Sequence, residues 1–140
     1  TTSTFQVLLT ITKACSVTSG TPITFTPVAS TSGRVTAHAD ISVNCSKDTP
    51  YTIGLSPSND DLNGSGLLAG TLSTNNDKVP YQLAKDTTGT VWGSDVGTSS
   101  IIVSSKGTGG PQPFTVYAVV ANANFTADSY SDTVTVKLNY

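Results

Sequence analysis

The only histidine is His38, and Asp40 follows it two positions later in "RVTAHADISVNC". On an extended strand residues i and i+2 share a face, so an imidazole and a carboxylate would stand side by side. With any of the 18 serines they could form a nucleophile–base–acid triad. No G-x-S-x-G elbow supports one, and an ordinary strand histidine is the plainer reading. The carboxylates Asp60 and Asp61 are adjacent in a turn-rich stretch, whereas a glycosidase pair must face each other across a cleft. "DLNGSG", residues 61–66, has the look of a calcium loop, but its twelfth position is Leu72 and the chain contains no Glu. "KGTGGPQP" is Gly-rich without Walker spacing and reads as a hairpin loop. Sequons stand at Asn44, Asn63 and Asn124, as chance supplies in a Ser/Thr-rich chain. Trp92 with Tyr81 and Tyr51 could offer a sugar-stacking platform, although aromatic side chains more often serve the core. No catalytic set, metal site or cofactor site is expected.

Two cysteines remain, Cys15 and Cys45. Without a CxxC and with one histidine, zinc is a poor match, and a disulfide fits better. The bond implies an oxidising compartment. It would close a loop of about 30 residues, which contributes roughly 3–4 kcal/mol on the chain-entropy model. A chain that opens on Thr1 is what removal of a signal peptide leaves.

These residues must be positioned by strands. Ser and Thr make up 42 of 140 residues, Met and Glu are absent, and charged residues are only 11%. Long helices are therefore not expected. A formal charge of −2 gives no reason to expect nucleic acid or an anionic membrane as partner. Solubility rests on hydroxyls and amides, which suits a protein packed against neighbours. Strand-like runs fall at 4–12, 22–28, 35–45, 50–56, 66–73, 79–85, 98–105, 112–121 and 130–140, separated by Gly- and Asn-rich turns. At 140 residues the chain is one domain, and many short strands predict a β-sandwich.

Three strands carry the clearest patterns. In 37–45, Ala39, Ile41, Val43 and Cys45 share a face, so a Cys15–Cys45 bond would tie the first strand region to this one. In 113–120, Phe114, Val116, Ala118 and Val120 face one way and Tyr117 and Val119 the other, which predicts a central strand. The two strongest alternations sit at the chain ends. Phe5, Val7, Leu9 and Ile11 alternate with Gln6, Thr10 and Thr12, with Leu8 out of phase. Val134, Val136, Leu138 and Tyr140 alternate with Thr133, Thr135, Lys137 and Asn139. Each could donate or accept a sheet edge.

The stretches "VLLTITKAC", "ISVNC" followed by "TPYTIGLS", "VPYQLAKDTTGTVWG", "GGPQPFTVYAVV" and the closing "YSDTVTVKLNY" occur in this order over nearly the whole chain. Together they resemble the spore coat protein U-like domain of archaic chaperone–usher pilus subunits. The chain departs from the family pattern at Thr26 and Ser129, where glycine is usual. The resemblance implies an incomplete immunoglobulin-like sandwich lacking its final strand. A periplasmic chaperone would occupy the gap, and at an outer-membrane usher the N-terminal strand of the next copy would replace it. Residues 1–12 would then be the donor strand, with Phe5, Val7, Leu9 and Ile11 filling successive pockets, and 13–140 the pilin body. Val134, Val136, Leu138 and Tyr140 would border the acceptor groove, with the Tyr140 carboxylate anchored on the chaperone. The implied protein is a non-enzymatic fibre subunit, a homopolymer exported through the periplasm to the cell surface for adhesion and biofilm formation, with a tip adhesin as a further partner. The alternative is a tip adhesin or lectin-like subunit that itself binds a receptor.

Overall fold

A computed structural model describes residues 1–140 as an all-β sandwich. The larger sheet holds β1 (Cys15–Ser19), β2 (Val35–Cys45), β4 (Ser65–Gly70), β5 (Lys78–Ala84), β7 (Pro111–Val120) and β8 (Tyr130–Ser131), in the order β1-β2-β7-β5-β4-β8. The smaller sheet holds β3 (Pro50–Ser56), β6 (Val103–Lys106) and β9 (Thr135–Asn139), in the order β6-β3-β9. Every pairing is antiparallel. A short 3-10 turn, Ser99–Ile101, precedes β6.

The inward face of β2 (Ile41, Val43, Cys45) meets Val116, Ala118 and Val120 of β7 and Val79, Tyr81 and Leu83 of β5 on one side of the core. Tyr51, Ile53 and Leu55 of β3 close it from the other side. Trp92 joins the layers: its backbone N–H donates to Leu83 O and its indole Nε1 to Ile53 O, both at 3.0 Å. At 1% exposure this indole is core, and Tyr51 and Tyr81 are buried with it. Trp92, Tyr81 and Tyr51 thus take the core role rather than form a stacking platform, because all three rings supply the apolar filling between two small sheets.

The disulfide is present, with Cys15 and Cys45 directly opposite in the β1–β2 ladder and their Cα atoms 4.1 Å apart. Strand β7 is central, between β2 and β5. Its Tyr117 and Val119 face is half-buried rather than covered by a further layer. The runs 35–45 and 50–56 are strands with those bounds, and those at 66–73, 79–85 and 112–121 are shifted or shortened at their ends.

Residues 4–12 hydrogen-bond to nothing within the chain. Three expectations are corrected. Residues 22–28 alternate as expected, with Ile23 and Phe25 half-buried, yet make no ladder. The stretch 98–105 divides between the 3-10 turn and β6. The run 130–140 splits because Tyr130–Ser131 pairs with β4 in one sheet and Thr135–Asn139 with β3 in the other. The chain crosses between sheets at 132–134, while the alternation of half-buried and exposed residues continues unbroken from Tyr130 to Leu138.

Candidate functional site

His38 and Asp40 do lie on one exposed face of β2, but they do not form a relay. Asp40 Oδ1 accepts from Thr115 Oγ1 at 2.8 Å, and the His38 ring packs against its cross-strand neighbour Tyr117 at 5.5 Å between centroids. The shallow hollow they border, about 450 Å³, is lined also by Gly20 and Thr21 and by no serine. Asp61 spends its Oδ1 on the backbone N–H groups of Asn63 and Ser65, which makes "DLNGSG" a self-closed turn.

The informative region is the free side of β9. This strand hydrogen-bonds only to β3, from Thr52↔Asn139 to Ser56↔Thr135. In a seven-strand immunoglobulin sandwich a further strand would stand beside it. Here the next segment across the opening is 21–28, which makes no backbone–backbone hydrogen bond at all. Pro22 and Pro27 lack N–H groups, but Ile23, Thr24, Phe25 and Thr26 have them to offer. Between the two unpaired backbones lies an apolar cleft of about 290 Å³. Ile23 and Phe25 form one wall and Asp132, Thr133 and Val134 the other; Leu68, Tyr81, Leu83 and Ala118 of the larger sheet form the floor.

Of the acceptor residues expected from sequence, Val134 lines this cleft, and Val136 and Leu138 continue its face against the core. Tyr140 lies past the end of β9 and is 51% exposed. The cleft also uses Ile23, Phe25, Asp132 and Tyr81, which the sequence reading did not assign to it. The alternation of Ile23 and Phe25 was a usable signal, whereas nothing in the pattern placed Tyr81 under Asp132.

At the mouth of the cleft, Asp132 accepts from Tyr81 Oη at 2.5 Å and from Ser58 Oγ. Burial raises the Asp132 pKa, but the hydrogen bonds from Ser58, Tyr81 and the backbone outweigh it, and the carboxyl lies below its usual range. Burial, with the hydrogen bond to Asp132, pushes the Tyr81 phenol up. Tyr81 is held from beneath by Gly66, opposite it in the β4–β5 ladder. A Cβ there would lie 2.4 Å from the ring.

The approach to Asp132 is pinned in the same chemistry. Asp128 accepts from Leu72 N, Asn75 Nδ2 and Thr71 Oγ1, and Asp77 accepts from Thr126 Oγ1 and N. These bonds weld the tip of the β4–β5 hairpin to the segment leading into β8, and both carboxyls are held low by their donors.

The N-terminal segment carries a second unpaired apolar surface. Phe5, Val7, Leu8, Leu9 and Ile11 are between 80% and 89% exposed, and residues 1–13 make no hydrogen bond to the rest of the chain. Five large apolar side chains on one free tail are an unusual exposure for a folded chain.

A sandwich whose smaller sheet stops one strand short, beside an unpaired apolar cleft, defines an incomplete immunoglobulin-like domain. The chain belongs to the Spore Coat Protein U domain family, which it matches over residues 1–137. No curated protein sequence matches it. Among solved structures it is similar to a chain of the CsuC–CsuE chaperone–tip adhesion subunit pre-assembly complex from the archaic chaperone-usher Csu pili of Acinetobacter baumannii, with a TM-score of 0.60 and 21% identity. That match covers 94% of this chain and 40% of the other. A second is a chain of the chaperone–tip adhesin complex of CFA/I fimbriae, with a TM-score of 0.51 and 11% identity, covering 85% of this chain and 38% of the other. The chain thus spans about two fifths of the length of these structures, and the likeness is one of fold.

Proposed function

We propose that the protein is a non-enzymatic, repeating subunit of a surface pilus, and that residues 1–12 of one copy complete the sandwich (13–140) of the next. The observation that carries this reading is the coexistence on one chain of an unpaired apolar strand and an unpaired apolar cleft. Burying Phe5, Val7, Leu9 and Ile11 would contribute roughly 6–12 kcal/mol before the cost of ordering the tail. The partners are a periplasmic chaperone that shields the cleft before assembly and an usher that exchanges it for the tail. The fibre would serve attachment and biofilm formation outside the cell.

Geometry favours a neighbour over self-insertion. All pairings in the fold are antiparallel, so an added strand beside β9 would run opposite to it, with Ile11 near Val134 and Phe5 near Tyr140. Cys15, opposite Cys45, sits at the end of the sandwich where β3 starts and β9 finishes. Val134 is therefore about 20 Å from that end. Residues 11–15 reach at most about 14 Å. The tail is too short to enter its own cleft in that direction.

Deleting residues 1–12 and co-producing the body with its chaperone tests the reading. The expected result is a soluble chaperone-bound body that forms no fibres. Leu9→Asp or Ile11→Asp in the full chain is expected to do the same, because a charge would enter an apolar pocket. Fibres assembled from the truncated body would refute the donor assignment.

A further inference from the structure

Strand donation leaves the register open, and a slip of two residues would keep every side chain on its face. The inward face of the acceptor reads Asp132, Val134, Val136, Leu138, and then Tyr140 at the end. The inward set of the tail reads Phe5, Val7, Leu9, Ile11, and then Lys13. Each is an apolar series with one charged side chain at one end, and the two side-chain charges are opposite.

Resting on the strand-donation reading, we propose that Lys13 of one copy seats on Asp132 of the next and that this pair fixes the register of the donated strand. Opposite residues in an antiparallel ladder have a constant sum of numbers. Lys13 opposite Asp132 places Ile11 opposite Val134, Leu9 opposite Val136, Val7 opposite Leu138 and Phe5 opposite Tyr140. A slip of two in one direction sets Ile11 against the Asp132 carboxylate. A slip in the other drives the Lys13 ammonium against Val134, into the apolar cleft, and pushes Phe5 past the end of the acceptor. Either error sets a charged group against an apolar one.

Both groups are available. Asp132 lines the cleft mouth, and its side-chain partners, Tyr81 and Ser58, are neutral hydroxyls that leave lone pairs unused. Lys13 is exposed and makes no hydrogen bond in its own chain. Apolar pockets of similar size give affinity without much register, whereas one charge pair at the end discriminates between slips.

The test is disulfide trapping between subunits in fibres of the full chain. Leu9→Cys with Val136→Cys reports the proposed register, and Leu9→Cys with Val134→Cys or with Leu138→Cys reports the two-residue slip in one direction or the other. The first pair is expected to give a covalent ladder and the other two little. Adding Lys13→Gln or Lys13→Asp, in the exposed tail where the fold is not at risk, should lower the ratio of the first ladder to the slipped ones by at least about tenfold. Lys13→Asp with Asp132→Lys should restore it. An unchanged ratio in the Lys13 variants, or a dominant slipped ladder in the parent, overturns the register assignment alone. Absence of all three ladders overturns strand donation along with it.

Discussion

The Tyr81 hydroxyl donates to Asp132 Oδ2 at 2.5 Å, so a buried residue of the larger sheet holds the carboxylate at the crossing to β9. Removing that donor with Tyr81→Phe is expected to cost about 1–3 kcal/mol in denaturant unfolding of the body. Gly66→Ala should cost a comparable amount, because its Cβ would displace the same ring. The double variant should fall short of the sum, since both changes act through one contact.

The carboxyls of Asp77, Asp86, Asp128 and Asp132 all titrate below their usual range, held by hydroxyl and amide donors. A carboxyl lowered in the folded state adds stability above its unfolded pKa and loses it as pH falls through the folded one. Tyr81 is raised, so its contribution holds below its unfolded pKa and fades as pH rises toward the folded value. Thermal unfolding is therefore expected to be level between about pH 5 and 9, to weaken below about pH 4, and to weaken again above about pH 10. Added salt should change little in the level region, since the donors are neutral.

Breaking the Cys15–Cys45 bond by Cys15→Ser, Cys45→Ser or both is expected to destabilise by roughly 3–4 kcal/mol. The three variants should agree closely if the cross-link is the main loss. Urea midpoints of oxidised and reduced protein give the comparison.

Trp92→Ala should cost about 3–5 kcal/mol, a core vacancy rather than a lost binding residue. Trp92→Phe should cost less but leave the Ile53 carbonyl without its indole donor. The parent should fluoresce in the blue, as an indole in apolar surroundings does, and shift red on unfolding.

The strands read most directly from sequence are those paired on both sides or packed on the core. Val35–Cys45 and Pro50–Ser56 have local alternation and tertiary neighbours that agree, and their bounds were legible to the residue. Residues 22–28 carry the same local signal, but a strand needs a hydrogen-bonding neighbour and the chain supplies none. The same physics accounts for 4–12. The break within 130–140 was hidden because alternation runs straight through a change of sheet. The burial of Trp92 and the seat of Asp132 on Tyr81 depend on contacts across 39 and 51 residues, which no local window contains.

The tail leaves the sandwich beside Cys15, and the cleft mouth at Asp132 stands at the opposite end. Contacts made from such a pair are heterologous and do not close on themselves as a two-fold dimer does. Under the proposed strand donation each added copy would consume one slot and present another, so a chain of copies would have a head and a foot of different chemistry. Growth would then have a direction, and a partner that offers a tail but no slot, or a slot but no tail, would end it at one chosen terminus.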